Sequence, residues 1–291
     1  MADGTRSAIA PPGAALLSKT ISKVLASVVT AGTAWMKPYR RTITRALVSE
    51  RLAPTITMET PAGGLHFFTP TARALHDPWA LYEGEPETIR WLDGLPQDHV
   101  LWDIGANIGV YALYAAKCRG MRVLAFEPSA ASYAVLVRNM EINHLDERIS
   151  AYCLAFDTST RLDYLYMANT GAGHSMHAFG QATSVEGAIK TTFRQSVLGF
   201  SIDAFCDLFR PPPPDHIKLD VDSIEIEILR GAERTLTGSV RTILVEIDES
   251  AGPTRSADIE RILTSAGFTR DQAFAQREAR RNVLFRNTRW G

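Results

Sequence analysis

The most chemically loaded stretch of the chain is Val100–Gly109, VLWDIGANIG, in which an aspartate closes an apolar run and a glycine loop follows. Glycines at 105 and 109 let backbone approach a ligand where a Cβ would clash. The three-glycine G-x-G-x-x-G spacing that seats a pyrophosphate is missing. Instead the Asp103 carboxylate stands beside the loop, where it repels pyrophosphate and suits the ammonium and sulfonium charges of S-adenosyl-L-methionine. A second apolar run ends Ala125-Phe-Glu-Pro128, which puts Glu127 24 positions after Asp103. That is near the ~20-residue interval at which a doubly wound fold sets an acid on a ribose diol. A third run ends Leu154-Ala-Phe-Asp157, so Ala155 and Asp157 are expected beside the base. Asp157 has a competing role, because Asp-Thr-Ser-Thr is also ordinary turn chemistry.

A second set of residues could serve an acceptor. Methyl transfer from a sulfonium needs in-line positioning, and an alcohol acceptor also needs a partner for its proton. Asp220 and Asp222 end a fourth apolar run, Ile217-Lys-Leu-Asp-Val-Asp222. Either could take a hydroxyl proton, Asp220 could orient the cofactor's amino-acid end, or both could fix the turn through backbone N–H groups. Lys218 should pair with a carboxylate, as a buried lysine must. Glu246 is a candidate for binding acceptor hydroxyls. In the glycine-rich segment Asn169–His177, His174 is a candidate base and His177 a candidate acceptor contact. Zinc is disfavoured there because no third ligand stands at suitable spacing. The other histidines read as surface or packing residues. The cysteines Cys118, Cys153 and Cys206 are far apart, as expected of free thiols in a reducing compartment.

These residues need strands to hold them. Strands are expected at Val100–Ile104, Arg122–Phe126, Ile149–Ala155, Ile217–Val221, Thr242–Ile247 and Asn282–Arg286. Helices are expected at Gly109–Arg119, Ala130–Asn143, Glu225–Leu236 and Ser256–Ala266. Alternation of this kind implies a mainly parallel α/β sheet with helices on both faces and ligands at the carboxyl strand ends. Asp157–Phe205 interrupts it, with one extra strand expected at Leu162–Met167 and a mobile loop around the histidines. Residues 1–52 read as a leader and helical extension, 53–98 as a hairpin and entry helix, and 99–291 as the main domain.

The blocks VLWDIGANIGVYALYAA, AFEPSAASYAVLVRN, HIKLDVDSIEIEILRGAE and NVLF occur in the order found in the FkbM family of methyltransferases, which the chain resembles over roughly residues 85–286. The resemblance implies a Rossmann-like class I methyltransferase sheet with an antiparallel last strand. It also implies that Asp103, Gly105, Asn107, Gly109 and Glu127 contact the cofactor. The acceptor it implies is a hydroxyl of a sugar, glycan or secondary metabolite. Ser223 stands where the family has glycine, and Ile224 where it has a small residue. That departure motivates a second reading, a degenerate cofactor-fold domain acting as an interaction or membrane-associated module. A nicotinamide-dependent oxidoreductase is the third reading, and the missing glycine fingerprint opposes it.

A formal net charge of −1 leaves no basic field for nucleic acid. Leu16–Met36 is the most membrane-like stretch, but Lys19 and Lys23 interrupt it. With Lys37, Arg40, Arg41 and Arg45 behind it, residues 16–45 could touch an anionic surface. A cytoplasmic protein, peripheral at a membrane if at all, is the expectation.

Overall fold

The computed structural model describes residues 14–184, 187–247, 253–277 and 282–290. The chain forms two compact units, Met1–Thr55 and Ile56–Gly291. In the first, helix α1 (Ala14–Gly32) is followed by α2 (Pro38–Arg51), which opens on a proline suited to a first helical turn. Arg41 donates to the carbonyls of Ala34 and Met36, and Arg45 to Thr33 Oγ1, fixing the corner between the two helices. Neither these nor any other described helix is long and apolar enough to cross a membrane.

The second unit begins with a two-stranded ribbon, β1 (Thr55–Thr60) and β2 (Gly63–Phe68), then α3 (Ala72–Trp79) and α4 (Pro86–Asp93). Thr71 caps α3 by accepting from Ala74 N at 3.0 Å. Next come β3 (Val100–Ile104), α5 (Val110–Arg119), β4 (Arg122–Phe126), α6 (Ala130–Ile142) and β5 (Ile149–Tyr152). The expected third strand stops here, three residues early. Ala155–Phe156 (β6) turns away to join β7 (Arg161–Met167), β8 (His177–Phe179) and β11 (Phe193–Phe200) in a separate sheet of order β6-β11-β7-β8. A short ribbon, β9 (Thr183–Ser184) with β10 (Gly187–Ala188), precedes β11. The apparent interruption is therefore a second sheet.

After α7 (Ile202–Phe209), the prolines 211–214 lead into β12 (His216–Leu219), with Pro212 O accepting from the Trp102 indole N–H at 3.1 Å. The expected helix Glu225–Leu236 is two helices, α8 (Glu225–Arg230) and α9 (Glu233–Gly238). The break falls at Gly231, where a Cβ would lie 2.3 Å from Asp157 O. The chain ends through β13 (Thr242–Glu246), α10 (Pro253–Ser265), β14 (Phe268–Arg270), α11 (Gln272–Arg277) and β15 (Asn282–Asn287).

The main sheet has the order β14-β15-β13-β12-β3-β4-β5. Its strands are parallel except β15, which runs antiparallel to β13 and β14. Apolar clusters cover both faces, which is why these strands read as unbroken hydrophobic runs. One holds Trp102, Phe126, Phe156 and Phe205; the other holds Leu101, Leu113, Leu136 and, from the ribbon, Leu65 and Phe67. Asn139 of α6 and Asn143, which caps its C-terminus, dock the ribbon. Phe68 N donates to Asn139 Oδ1 at 2.7 Å, and His66 N donates to Asn143 Oδ1 at 2.9 Å. Asn143 Nδ2 returns a bond to His66 O at 2.6 Å.

Candidate active site

A cavity of about 410 Å³ lies at the carboxyl ends of β3, β4, β12 and β13, where such sheets bind ligands. The loop after β3 forms one wall. Gly105 has φ +86°, and a Cβ on it would lie 1.8 Å from Asp220 O. Only glycine lets the turns after β3 and β12 approach this closely. Gly109, expected at the cofactor, does not line the cavity. A Cβ there would meet Leu136 and Leu113 methyls at 2.3 and 2.6 Å, so this glycine serves the packing of α5 on α6. Asn107 sits between them at φ +50° and lines the cavity.

Asp103 is 1% exposed and faces the cavity; among the described residues neither carboxylate oxygen has a close hydrogen-bond partner, and only the Ala112 amide of α5 approaches it, weakly. Burial pushes its carboxyl up to about 6, although Lys218 on the neighbouring strand pulls the other way. Glu127 accepts from Asn107 N and Ser129 N, both at 2.8 Å, one on each oxygen. It thus ties the two loops together, while each oxygen keeps a lone pair for a ligand. Burial pushes it up to about 7 against those two bonds. Ala155 lines the same end of the cavity. Asp157, expected beside it, does not. Its carboxylate accepts from Thr158 N at 2.6 Å and pairs with Arg161 at 2.5 Å, so the turn role prevails once the chain changes sheets.

The opposite wall is a charge cluster on β12 and β13. Lys218 Nζ donates to Asp220 Oδ2 at 2.5 Å and lies 5.0 Å from the centre of the Tyr111 ring. Burial alone would discharge this lysine, but Asp220, Glu85 and Asp103 outweigh it and raise its pKa. Glu246 is hydrogen-bonded to Asp220, whose charge, ahead of burial, pushes Glu246 up to about 9. Glu85 lines this wall too; its position before Pro86 shows only the helix start, and nothing in the sequence links it to the site. Tyr111 is likewise hidden by its place in a helix.

Asp222 and Ser223 form the turn after β12, at φ +47° and +124°. The sequence resemblance calls for glycine at 223, and the positive φ supplies the reason; serine there carries strain of about 1 kcal/mol or more. Asp222 Oδ2 accepts from Met176 N at 2.6 Å. Burial pushes its carboxyl up to about 6. The histidine loop is held at further points, with Gly173 N donating to Ser132 Oγ and Thr71 Oγ1 to Ala172 O. These bonds tie the loop expected to be mobile to Asp222, Ser132 and Thr71 in this conformation. His174 and His177 both line it, and neither ring nitrogen of His177 has a partner among the described residues. Burial lowers the pKa of His177, favouring the neutral ring. His76, read as a surface residue, lines the cavity as well.

So many raised carboxyls predict a pH dependence. Between pH 6.5 and 7.5 the unfolded chain still sheds the proton of His216, which burial pushes down to about 3 in the fold, a small opposing gain in stability that is complete near pH 7.5. Against that, Glu127 and Glu246 hold protons in the folded protein that the unfolded chain, with glutamates near 4.3, has lost. The folded state binds more protons, so stability falls as pH rises. Urea titrations of ligand-free protein should show a loss on the order of 1–3 kcal/mol between pH 6.5 and 9. The thiols, also raised by burial, act in the same direction near the top of that window.

Strand order, the antiparallel β15 and an acid after each of the first two strands define a Rossmann-like methyltransferase. The methyltransferase FkbM domain model matches residues 103–270, and the chain belongs to that family. Its relatives include methyltransferase sdnD of Sordaria araneosa, 27% identical over 203 residues covering 62% of this chain and 78% of that protein. Hexuronic acid methyltransferase AglP of Haloferax volcanii is 27% identical over 199 residues, 67% of this chain and 75% of its own. The crystal structure of methyltransferase FkbM from Methylobacillus flagellatus superposes with a TM-score of 0.45 at 15% identity, over 66% of this chain and 44% of that one.

Proposed function

We propose that the cavity binds S-adenosyl-L-methionine together with a hydroxyl-bearing acceptor, a sugar, glycan or secondary metabolite, and that the chain is an O-methyltransferase. The observation that carries this reading is Asp103. A carboxylate at 1% exposure, facing a cavity and without a close hydrogen-bond partner among the described residues beyond the weak approach of the Ala112 amide, fits a ligand that brings its own cationic donor. Bound, the cofactor would supply an electrophilic methyl on its sulfonium. Asp103 would then take the ammonium group, Glu127 the ribose diol, and Gly105, Asn107 and Ala155 the rest of the nucleoside wall. The histidine loop would exclude water from the methyl. His174 and Asp222 line the cavity as candidate bases for the acceptor proton, with the half-buried His177 beside them as an acceptor contact. Asp220, tied to Lys218 and Glu246, would hold acceptor hydroxyls. The printed name of the Haloferax relative gives loose support to a sugar acceptor.

Calorimetry against S-adenosylmethionine, S-adenosylhomocysteine and NAD tests the reading. Binding of the sulfur ligands and not NAD is expected, and a folded protein that binds neither sulfur ligand overturns it. Glu127→Ala is expected to weaken cofactor binding about 10- to 100-fold, the worth of hydrogen bonds to a charged group. Because Glu127 also holds the Asn107 and Ser129 amides, the same variant should melt lower, and unchanged affinity would remove the ribose assignment.

A further inference from the structure

Taking the loop after β3 as the cofactor's side, as proposed above, the remaining wall faces the acceptor. It presents Asp77, Glu85, Asp220 and Glu246, with Arg73 and Lys218 as its cations. Both cations are occupied. Lys218 Nζ lies 2.5 Å from Asp220 Oδ2, and Arg73 Nη1 lies 3.4 Å from Asp77 Oδ1. The carboxyls also outnumber their partners: Glu246 meets Asp220 acid to acid, an arrangement that requires a shared proton. Glu85 Oε2 accepts from Thr88 Oγ1 at 2.8 Å and Asn282 Nδ2 at 3.1 Å, both neutral donors.

Recognition of a carboxylate or phosphate needs an available guanidinium fork or ammonium group. Each lining cation is already ion-paired, so an entering anion would have to compete with Asp220 for Lys218 or with Asp77 for Arg73. An anion entering this wall would also meet like charges in a partly desolvated site, where repulsion is far stronger than in water. Hydroxyl groups suit it, because carboxylates accept from them and the shared acid proton can be donated to them.

We propose that the acceptor is a polyol free of carboxylate and phosphate groups, neutral or amine-bearing, in contrast to the hexuronic acid in the Haloferax relative's name, and that this wall disfavours anionic acceptors. Wall charge, rather than cavity shape, sets the selection. The Arg73–Asp77 pair is the adjustable part, since both side chains are about one-third exposed and neither supports the core.

The test uses full-length protein saturated with S-adenosylhomocysteine, whose binding is measured first. Failure at that step overturns the cofactor reading beneath this one. Methyl glucoside, its 2-amino counterpart and methyl glucuronide are then titrated by calorimetry or saturation-transfer NMR. The neutral and amino sugars are expected to bind at least tenfold more tightly than the glucuronide. Equal or tighter binding of the glucuronide overturns the proposal. Loss of all three, with S-adenosylhomocysteine still bound, overturns the polyol assignment and leaves the cofactor reading intact. Asp77→Asn releases Arg73 and should improve glucuronide binding relative to methyl glucoside at least threefold. An unchanged ratio would rule out charge as the basis of selection.

Discussion

Gly105→Ala is expected to lower the melting midpoint by about 10 °C and to abolish cofactor binding. The new Cβ would lie 1.8 Å from Asp220 O and 2.8 Å from Asp220 C, with φ at +86°. Backbone cannot yield as a flexible side chain does, so the turns after β3 and β12 must separate. The left-handed backbone alone costs about 1–2 kcal/mol, and overpacking typically adds about 1–3 kcal/mol. For a unit of this size each kcal/mol shifts the midpoint by about 2–4 °C. Calorimetric melting with a parallel S-adenosylhomocysteine titration reads both effects. A midpoint within 2 °C of the parent protein would show that the turns can move apart freely, and with it would go the close approach on which the cavity wall depends.

Asp103→Asn should produce an opposite pair of effects, a protein that melts higher and binds cofactor at least tenfold more weakly. Asp103 is ionised at pH 7.5, since burial raises it only to about 6, yet among the described residues only the weak approach of the Ala112 amide and the charge of Lys218 compensate it. A folded-state rise of about two units over an ordinary aspartate corresponds to on the order of 2 kcal/mol of lost stability above pH 6. An isosteric amide removes the charge and its desolvation cost, for a gain of several degrees. The same change takes away a carboxylate that faces the cavity with no close hydrogen-bond partner on either oxygen among the described residues. An Asp103→Asn protein that melts lower and binds the sulfur ligands as before would show that the carboxylate is a structural partner of Lys218 and no ligand contact.

The site was readable where strand, loop and chemistry coincide. Asp103, Glu127, Asp220, Asp222 and Glu246 all stand at or just past the ends of apolar runs, so a period of burial and a terminal acid locate them without coordinates. Gly109 carries a packing role that the sequence did not separate from a ligand role, because a glycine required by the neighbouring helix leaves the same mark as one required by a ligand. Asp157 failed for a topological reason: the chain leaves the main sheet after Tyr152, and the carboxylate follows it into another hydrogen-bond network. The second sheet escaped because β11, Phe-Arg-Gln-Ser-Val-Leu-Gly-Phe, is half exposed and polar, and its partners β6 and β7 lie a full loop away. Glu85 and Tyr111 reach the cavity by tertiary packing alone, which no local pattern records.

The docking of β2 on α6 sets where a shortened protein can begin. A boundary placed by motif would fall just before Val100, and the hairpin would be discarded as an appendage. Yet Asn139 and Asn143 serve the ribbon as a surrogate edge strand, meeting the backbone of Phe68 and His66 with amide groups in place of a peptide ladder. Excision there would strip a lid of Leu65 and Phe67 from α5 and α6 and orphan both amides. The smallest autonomous catalytic fragment therefore starts no later than Ile56, and any chimera or split-protein design should carry the hairpin with the sheet it closes.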